Sequence, residues 1–358
     1  MEASRPDWSM RGRTSGLIDW RTASAVGRSL TGSGPTLTAE ERVSMRADLA
    51  SAIDESLGLA GAAAGLEPSG PAPRAWTMSR GEWIDANFRS LERTIEPMVV
   101  RTITAQGGRR GGNVRSHTIA AQIGGLFGYV SRKVLGQFDP FLPPDDEGLI
   151  YFVGPNVAEA ERHFGFDRAD FRVWIALHEV THRLQFSAAP WLRGHILTSI
   201  DSYLSMTQLD LRKTAENLAR AASELRAGGE MKTLGMVYAL MTPEQRKLFH
   251  RMQATMSLVE GHASWVMNSA GRGRLATLPA MQEAMRSRRN IGNLERTFQQ
   301  AVGFDHKIRQ YGTGERFVTS VIERAGVEAF NAVWDTPGNL PTTEEIAEPQ
   351  LWLARVHR

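Results

Sequence analysis

Two histidines four residues apart, with a glutamate directly after the first, are the residues of this chain whose types and spacing can do chemistry together: His178-Glu179-Val180-Thr181-His182. On a helix, residues i and i+4 stand one above the other on the same face, so both imidazoles can converge on a single ion. Zinc accepts neutral imidazole nitrogen at about 2.0 to 2.1 Å, and catalytic zinc sites commonly use three protein ligands with a position left for water. Glu179 lies about 100° around the helix from His178, so its carboxylate can reach that water without ligating the metal. The chemistry this predicts is metal-assisted hydrolysis, most naturally of an amide bond. Zinc acidifies the water and polarises a carbonyl, while Glu179 takes the water proton and later donates it to the leaving group.

A third ligand is required, and Glu260 in the segment Met256 to Met267 is the strongest choice. A carboxylate on an otherwise apolar helix is costly to bury unless it is paired or ligates a metal. His262 is the rival, but it points about 200° away from Glu260 on a regular helix, so the two cannot face one ion equally. Glu260 is favoured as ligand, and His262 is assigned a contact with substrate or transition state. His195, shortly after the motif, could line the cleft but reads more simply as a solvated loop residue, and His117, His163, His250, His306 and His357 lack any partner pattern. Tyr203, Tyr238 and Tyr311 could each donate a hydrogen bond to a developing oxyanion.

The elements that must position these residues are mostly helical. Asp167 is an N-cap for a helix that runs without proline or glycine through Phe186. Thr38 with Glu41, Ser79 with Glu82 and Thr242 with Gln245 have the spacing of capping boxes and predict three further helix starts. The first of these helices is expected to weaken at Gly58, Glu67 to Pro73 reads as a linker, and Pro97 is expected to bend or end the helix from Ser79. In the helix over Ile119 to Leu135, Gly124, Gly125 and Gly128 are expected to permit close helix contact. Ile200 to Leu225, Thr242 to Met267, Met281 to Phe298 and Gly314 to Ala325 also read as helices.

Leu149 to Val153 is the clearest strand, bounded by Pro143 to Asp146 and by Gly154-Pro155. It is expected to rim the cleft and to pair with an extended substrate. Gln106 to Asn113, with four glycines and two arginines, reads as a turn rather than a phosphate cradle, because it lacks the Gly-Lys-Ser/Thr ending. The predicted fold is mainly α with a small β-sheet and additional packed helices. Residues 1–16 are expected to be a disordered segment and 17–358 one unit, with a helical part over 17–135 and a catalytic part over 136–358.

Composition narrows the chemistry further. The 358 residues are 42% hydrophobic and 23% charged, ordinary for a soluble globular protein. With 42 basic and 39 acidic residues the formal charge is only +3, which does not point to nucleic acid. The absence of cysteine removes disulfides and thiolate ligands together, so a bound metal must be held by His, Asp, Glu or water. No apolar run reaches the roughly 18 residues of a membrane span or forms a signal peptide, so no membrane partner is expected and a cytoplasmic location is the default.

Several segments taken together resemble a bacterial family of uncharacterised zincin-like hydrolases. They are Gly81-Glu82-Trp83-Ile84-Asp85-Ala86-Asn87, Gly136-Gln137-Phe138-Asp139-Pro140, Val153-Gly154-Pro155-Asn156, His178-Glu179-Val180-Thr181-His182, Val259-Glu260-Gly261-His262 and Lys307-Ile308-Arg309-Gln310-Tyr311. The resemblance covers the chain from about Leu17 onward. It implies a zincin-like metallohydrolase core, zinc at His178 and His182, catalysis by Glu179 and ligation by Glu260, and it singles out Tyr311 among the tyrosines as a substrate or transition-state contact. Some family members are labelled as associated with biosynthesis of a deazaflavin coenzyme, but nothing in this sequence resembles a flavin-binding motif.

The leading reading is a zinc-dependent hydrolase of peptides or other amides. One alternative is a zincin-derived binding or scaffold protein that holds zinc without turnover. Glu179 argues against it, because a purely structural site needs no general base and is normally closed by four protein ligands. A second alternative, an anionic partner on Arg109, Arg110, Arg286, Arg288 and Arg289, predicts steep salt dependence. Those short runs are more simply solvated faces.

Overall fold

The computed structural model describes residues 18–105, 113–142, 148–206, 242–288 and 313–357. The expected N-terminal segment 1–16, the glycine-rich turn after Gln106, Tyr238 and Tyr311 lie outside the described residues, as do most of the helix expected beyond Met206 and the end of the helix expected over Met281 to Phe298. The fold is mainly α around a small sheet. Helices α1 (Trp20–Thr31) and α2 (Ala39–Ala64) precede strand β1 (Arg74–Met78), and α3 (Arg80–Thr94), α4 (Glu96–Ala105) and α5 (Asn113–Val130) follow it. Strands β2 (Gly136–Phe138) and β3 (Leu149–Val153) lead into α6 (Gly154–Phe164), α7 (Arg168–Ala188) and α8 (Trp191–Met206). Beyond residue 241 come α9 (Pro243–Gly271), α10 (Leu278–Arg288), α11 (Thr313–Asn331), α12 (Thr343–Ala347) and α13 (Pro349–Val356).

All three expected capping boxes form: Thr38, Ser79 and Thr242 each accept the N3 amide while the N3 side chain returns to the cap. Helix α2 does not fail at Gly58. It continues to Ala64 and closes on Gly65 in the left-handed region, because Ala60 and Ala64 are fully buried and packing outweighs the weak propensity of glycine. Pro97 sits in the first turn of a new helix, where its missing N–H costs nothing, and Pro155, which bounds the strand, likewise lies in the first turn of α6.

The sheet order is β1-β3-β2, with β1 parallel and β2 antiparallel to β3. This corrects the expected role of Leu149 to Val153, which is the central strand, wholly buried and paired on both sides, and therefore has no edge for a substrate. Its unbroken apolar run follows from that position. Ile150 and Phe152 enter one core with α2, α6 and α7, while Leu149, Tyr151 and Val153 enter another with α1, α3 and α5. The outer strand beside α7 is β2, held from its far side by the Gln137 carboxamide, which meets Trp83 Nε1 at 2.6 Å and Asn87 at 3.0 and 3.2 Å.

Helix α7 is the axis of the molecule. Asp167 caps it by accepting the Asp170 amide, and from Asp170 to Gln185 every residue but His178 is buried. The faces of the helix are therefore covered nearly all round, by α2 and the sheet on one side and α9 on the other. A third core of Leu192, Leu258, Phe317, Phe330, Trp334 and Trp352 joins α8, α9, α11 and α13 beyond it. There α9 and α11 touch backbone to backbone, since a Cβ on Gly261 would lie 2.2 Å from the Gly314 carbonyl carbon.

The same device joins α1 to α5 at two of the three glycines singled out by sequence. A Cβ on Gly124 would lie 2.4 Å from the Ala23 carbonyl oxygen and one on Gly128 2.8 Å from that of Gly27, whereas one on Gly125 would meet only Leu30 Cδ1 at 3.8 Å. Gly124→Ala is expected to lower stability by about 1 to 3 kcal/mol through overpacking. Gly125→Ala is expected to be neutral or to stabilise by about 1 kcal/mol through helix propensity. Urea unfolding of the two variants checks the contrast.

Candidate metal centre

His178 and His182 project from α7 as a T-shaped pair with ring centroids 4.7 Å apart and Nε2 atoms 3.1 Å apart. Glu260, from α9, spans the pair, with Oε2 3.5 Å from His178 Nε2 and Oε1 3.6 Å from His182 Nε2. Ligand atoms around a tetrahedral ion at about 2.0 to 2.1 Å stand about 3.3 Å from one another. Here the two Nε2 atoms are 3.1 Å apart, each carboxylate oxygen lies 3.5 or 3.6 Å from one of them, and one ligand atom from each residue falls within 4.8 Å of the others. No second cluster of three His, Asp or Glu ligands occurs among the described residues. The donor set is two imidazoles and one carboxylate, chemistry suited to zinc. The group keeps a way in from solvent, since the side chains of His178 and Glu260 are 25% and 21% exposed.

Charge supports the same arrangement. Burial works to raise the pKa of Glu260, yet the neighbouring His182 and His178 hold it down at about 2, so the carboxylate stays ionised against the imidazoles. Glu179 differs. Burial pushes its pKa upward against the pull of His178, His182 and the amide of Phe138, with the Glu260 charge adding to the rise. The Phe138 N–H of β2 donates to Glu179 Oε2 at 2.8 Å. The carboxylate lies flat over Gly136, where a Cβ would come within 2.8 Å of both Cγ and Oε1. Glu179 is thus seated on the outer strand, beside the two histidines, without joining the group of His178, His182 and Glu260.

The expectation that His262 meets substrate is corrected by its burial. It is fully enclosed, with its ring stacked on Phe330 at 5.2 Å and near Trp334 at 5.3 Å. The helical offset correctly turned it away from the ion, but that direction leads into the third core and not into the cleft. His262 reaches the site through Gln185, whose amide nitrogen lies 3.0 Å from His262 Nδ1 and 2.8 Å from the Val259 carbonyl oxygen. The amide oxygen of Gln185 meets His182 Nδ1 at 3.0 Å. Sequence reasoning passed over Gln185, Gly136 and the Phe138 amide. Gly136 and Phe138 stood in a segment that carries the family resemblance, without a role, and the signal for Gln185 was its i+3 placement from His182. His195 is a half-buried α8 residue against Trp191, and burial together with Arg251 lowers its pKa.

The sequence matches the zincin-like metallopeptidase family over residues 18–353, and the chain belongs to that family. Its fold is similar to a crystal structure from Chloroflexus aurantiacus described as a candidate hydrolase with a novel fold. The two are 30% identical with a TM-score of 0.69, over 95% of this chain and 99% of the other. No curated protein matches. Membership and this likeness together make the protein a metallohydrolase in the general sense. No described helix is long and apolar enough to cross a membrane.

Burial, and secondarily the charge on His182, lowers the pKa of His262 to about 3. In the unfolded chain the ring takes up a proton near pH 6.5. Its contribution to stability is therefore complete above about 6.5 and is lost as pH falls from there toward 3. In chelated, metal-free protein, this ring is expected to remove about 2 kcal/mol of stability between pH 7 and pH 5. His262→Gln should flatten that part of the profile, as read by urea unfolding at the two pH values. An unchanged slope in the variant would show that the ring is not the titrating group.

Proposed function

We propose that this protein is a zinc-dependent peptidase in which His178, His182 and Glu260 hold the ion and Glu179 is the general base. The observation that carries the reading is the pair of Nε2 atoms 3.1 Å apart, each faced by one Glu260 oxygen at 3.5 or 3.6 Å, with Glu179 beside them on β2. A zinc ion bound there would supply Lewis acidity to a carbonyl oxygen and lower the pKa of water toward about 7. Glu179 accepts a proton at Oε1, the oxygen that Phe138 leaves free, and delivers it to the departing amine. Burial makes its carboxylate a stronger base than an exposed one. Phe138 and Gly136 fix the position of that carboxylate. A peptide substrate is supported by β2, whose outward Phe138 amide already meets Glu179, so an extended backbone along this strand lies within reach of the base.

Two measurements test the reading. Elemental analysis of purified protein is expected to find zinc in the wild type and to lose it in the His178→Ala, His182→Ala double variant. Undiminished zinc in the double variant overturns the ligand assignment. Glu179→Gln is expected to keep zinc while hydrolysis of a peptide library, read by mass spectrometry, falls by roughly 10² to 10⁴-fold. Equal cleavage at equal zinc content removes Glu179 from the role of base. Gly136→Ala, whose Cβ would displace the carboxylate, should keep zinc and lose activity by about 10²-fold, the usual effect of misplacing a reacting group by about 1 Å.

A further inference from the structure

We infer that Gln185, gripped by the Val259 carbonyl and by His262, is a positioning residue that sets which ring nitrogen of His182 carries the proton and so presents Nε2 bare to the ion. The inference rests on the metal-centre reading above for its purpose, but its chemistry follows from three contacts alone. A backbone carbonyl can only accept a hydrogen bond. The end of Gln185 that lies 2.8 Å from the Val259 oxygen must therefore be the amide nitrogen, which removes the ambiguity in its orientation. The second hydrogen of that nitrogen points to His262 Nδ1 at 3.0 Å, so Nδ1 of His262 is a lone pair and its ring proton sits on Nε2. The opposite end of Gln185 is the carbonyl oxygen. It faces His182 Nδ1 at 3.0 Å and must accept, so His182 is protonated at Nδ1 and bare at Nε2. One main-chain oxygen on α9 thus fixes the tautomer of a side chain on α7.

His262 is held for this task at a cost that packing alone does not explain. Its Nε2 is buried with no hydrogen-bond partner among the described residues, although the ring is enclosed by Phe330, Trp334 and Trp265. A phenylalanine would fill such an aromatic box without that penalty. What phenylalanine lacks is an acceptor for the second amide hydrogen of Gln185. Without that acceptor the carboxamide is free to turn, and its oxygen no longer faces His182 alone.

The wild-type protein offers a direct test. Long-range proton–nitrogen correlation spectra of metal-free, nitrogen-15-labelled protein at pH 8 distinguish protonated from bare ring nitrogens, and loss of signals in His182→Ala and His262→Gln assigns them. The expected pattern is a proton on Nδ1 of His182 and on Nε2 of His262. A proton on Nε2 of His182, or on Nδ1 of His262, overturns the inference whatever the protein does with metal. Zinc affinity, measured by competition with a chromophoric chelator, supplies the second arm. Gln185→Met keeps the volume but neither donates nor accepts, and should bind zinc about 10- to 100-fold more weakly, the usual effect of removing such a partner. Gln185→Glu keeps an acceptor for His182 and should bind zinc more tightly than Gln185→Met. A packing role predicts the opposite order, because methionine is the better core residue, and that order overturns the inference. Failure of the wild type to bind zinc overturns the metal-centre reading instead, and the spectra still decide the tautomer.

Discussion

Helix α7 is buried on nearly every side, so each polar group it carries has to find its partner inside the protein. An unsatisfied buried donor or acceptor costs about 1 to 3 kcal/mol, which makes these partners conditions of folding. Asp170 accepts both the amide and the hydroxyl of Thr277. Arg172 pairs with Glu161 at 2.7 Å and with Asp48, and Arg183 donates to the carbonyls of Ser69 and Pro71. Glu179 takes the Phe138 amide, and Gln185 takes the far side of His182. All but the last of these contacts tie the helix to another part of the chain, so the scaffold and the site are secured by the same rule.

The site is the place where that rule is loosened. His178 is the one residue between Asp170 and Gln185 that is not buried, and Glu260 opposite it is partly open as well. Two imidazole nitrogens 3.1 Å apart beside a carboxylate form a concentration of lone pairs that an ion can satisfy together. The sheet contributes on the flank. A three-residue strand offers a glycine surface and one amide to the glutamate, and α3 braces it from behind through Gln137.

Much of this was legible in the sequence because it depends on local spacing. The capping boxes, the i and i+4 histidines, the misfit of Glu260 in an apolar helix and the close approach at Gly124 and Gly128 are all readable from a few neighbouring residues. What was missed depends on contacts distant in the chain. Leu149 to Val153 looks the same as an edge or a centre, and its place was decided by Arg74 to Met78 and Gly136 to Phe138, neither of which reads as a strand alone. The direction of His262 was right and its surroundings were not, since Phe330 and Trp334 arrive from about seventy residues later in the chain. The spacing of Gln185 from His182 hints at a contact, but its role is written in a carbonyl on another helix.

That carbonyl belongs to the main chain, and every amino acid that can occupy position 259 brings the same oxygen. The proton on His182 is therefore insulated from genetic change at the residue that dictates it. Vulnerability moves to whatever sets the height and rotation of α9, and the tightest such point is Gly261 against Gly314, one residue beyond Glu260, where no side chain at all can be accommodated. The residues most constrained by the chemistry of this site thus include two that have no functional group. They act by letting two backbones come close enough for a third to be read.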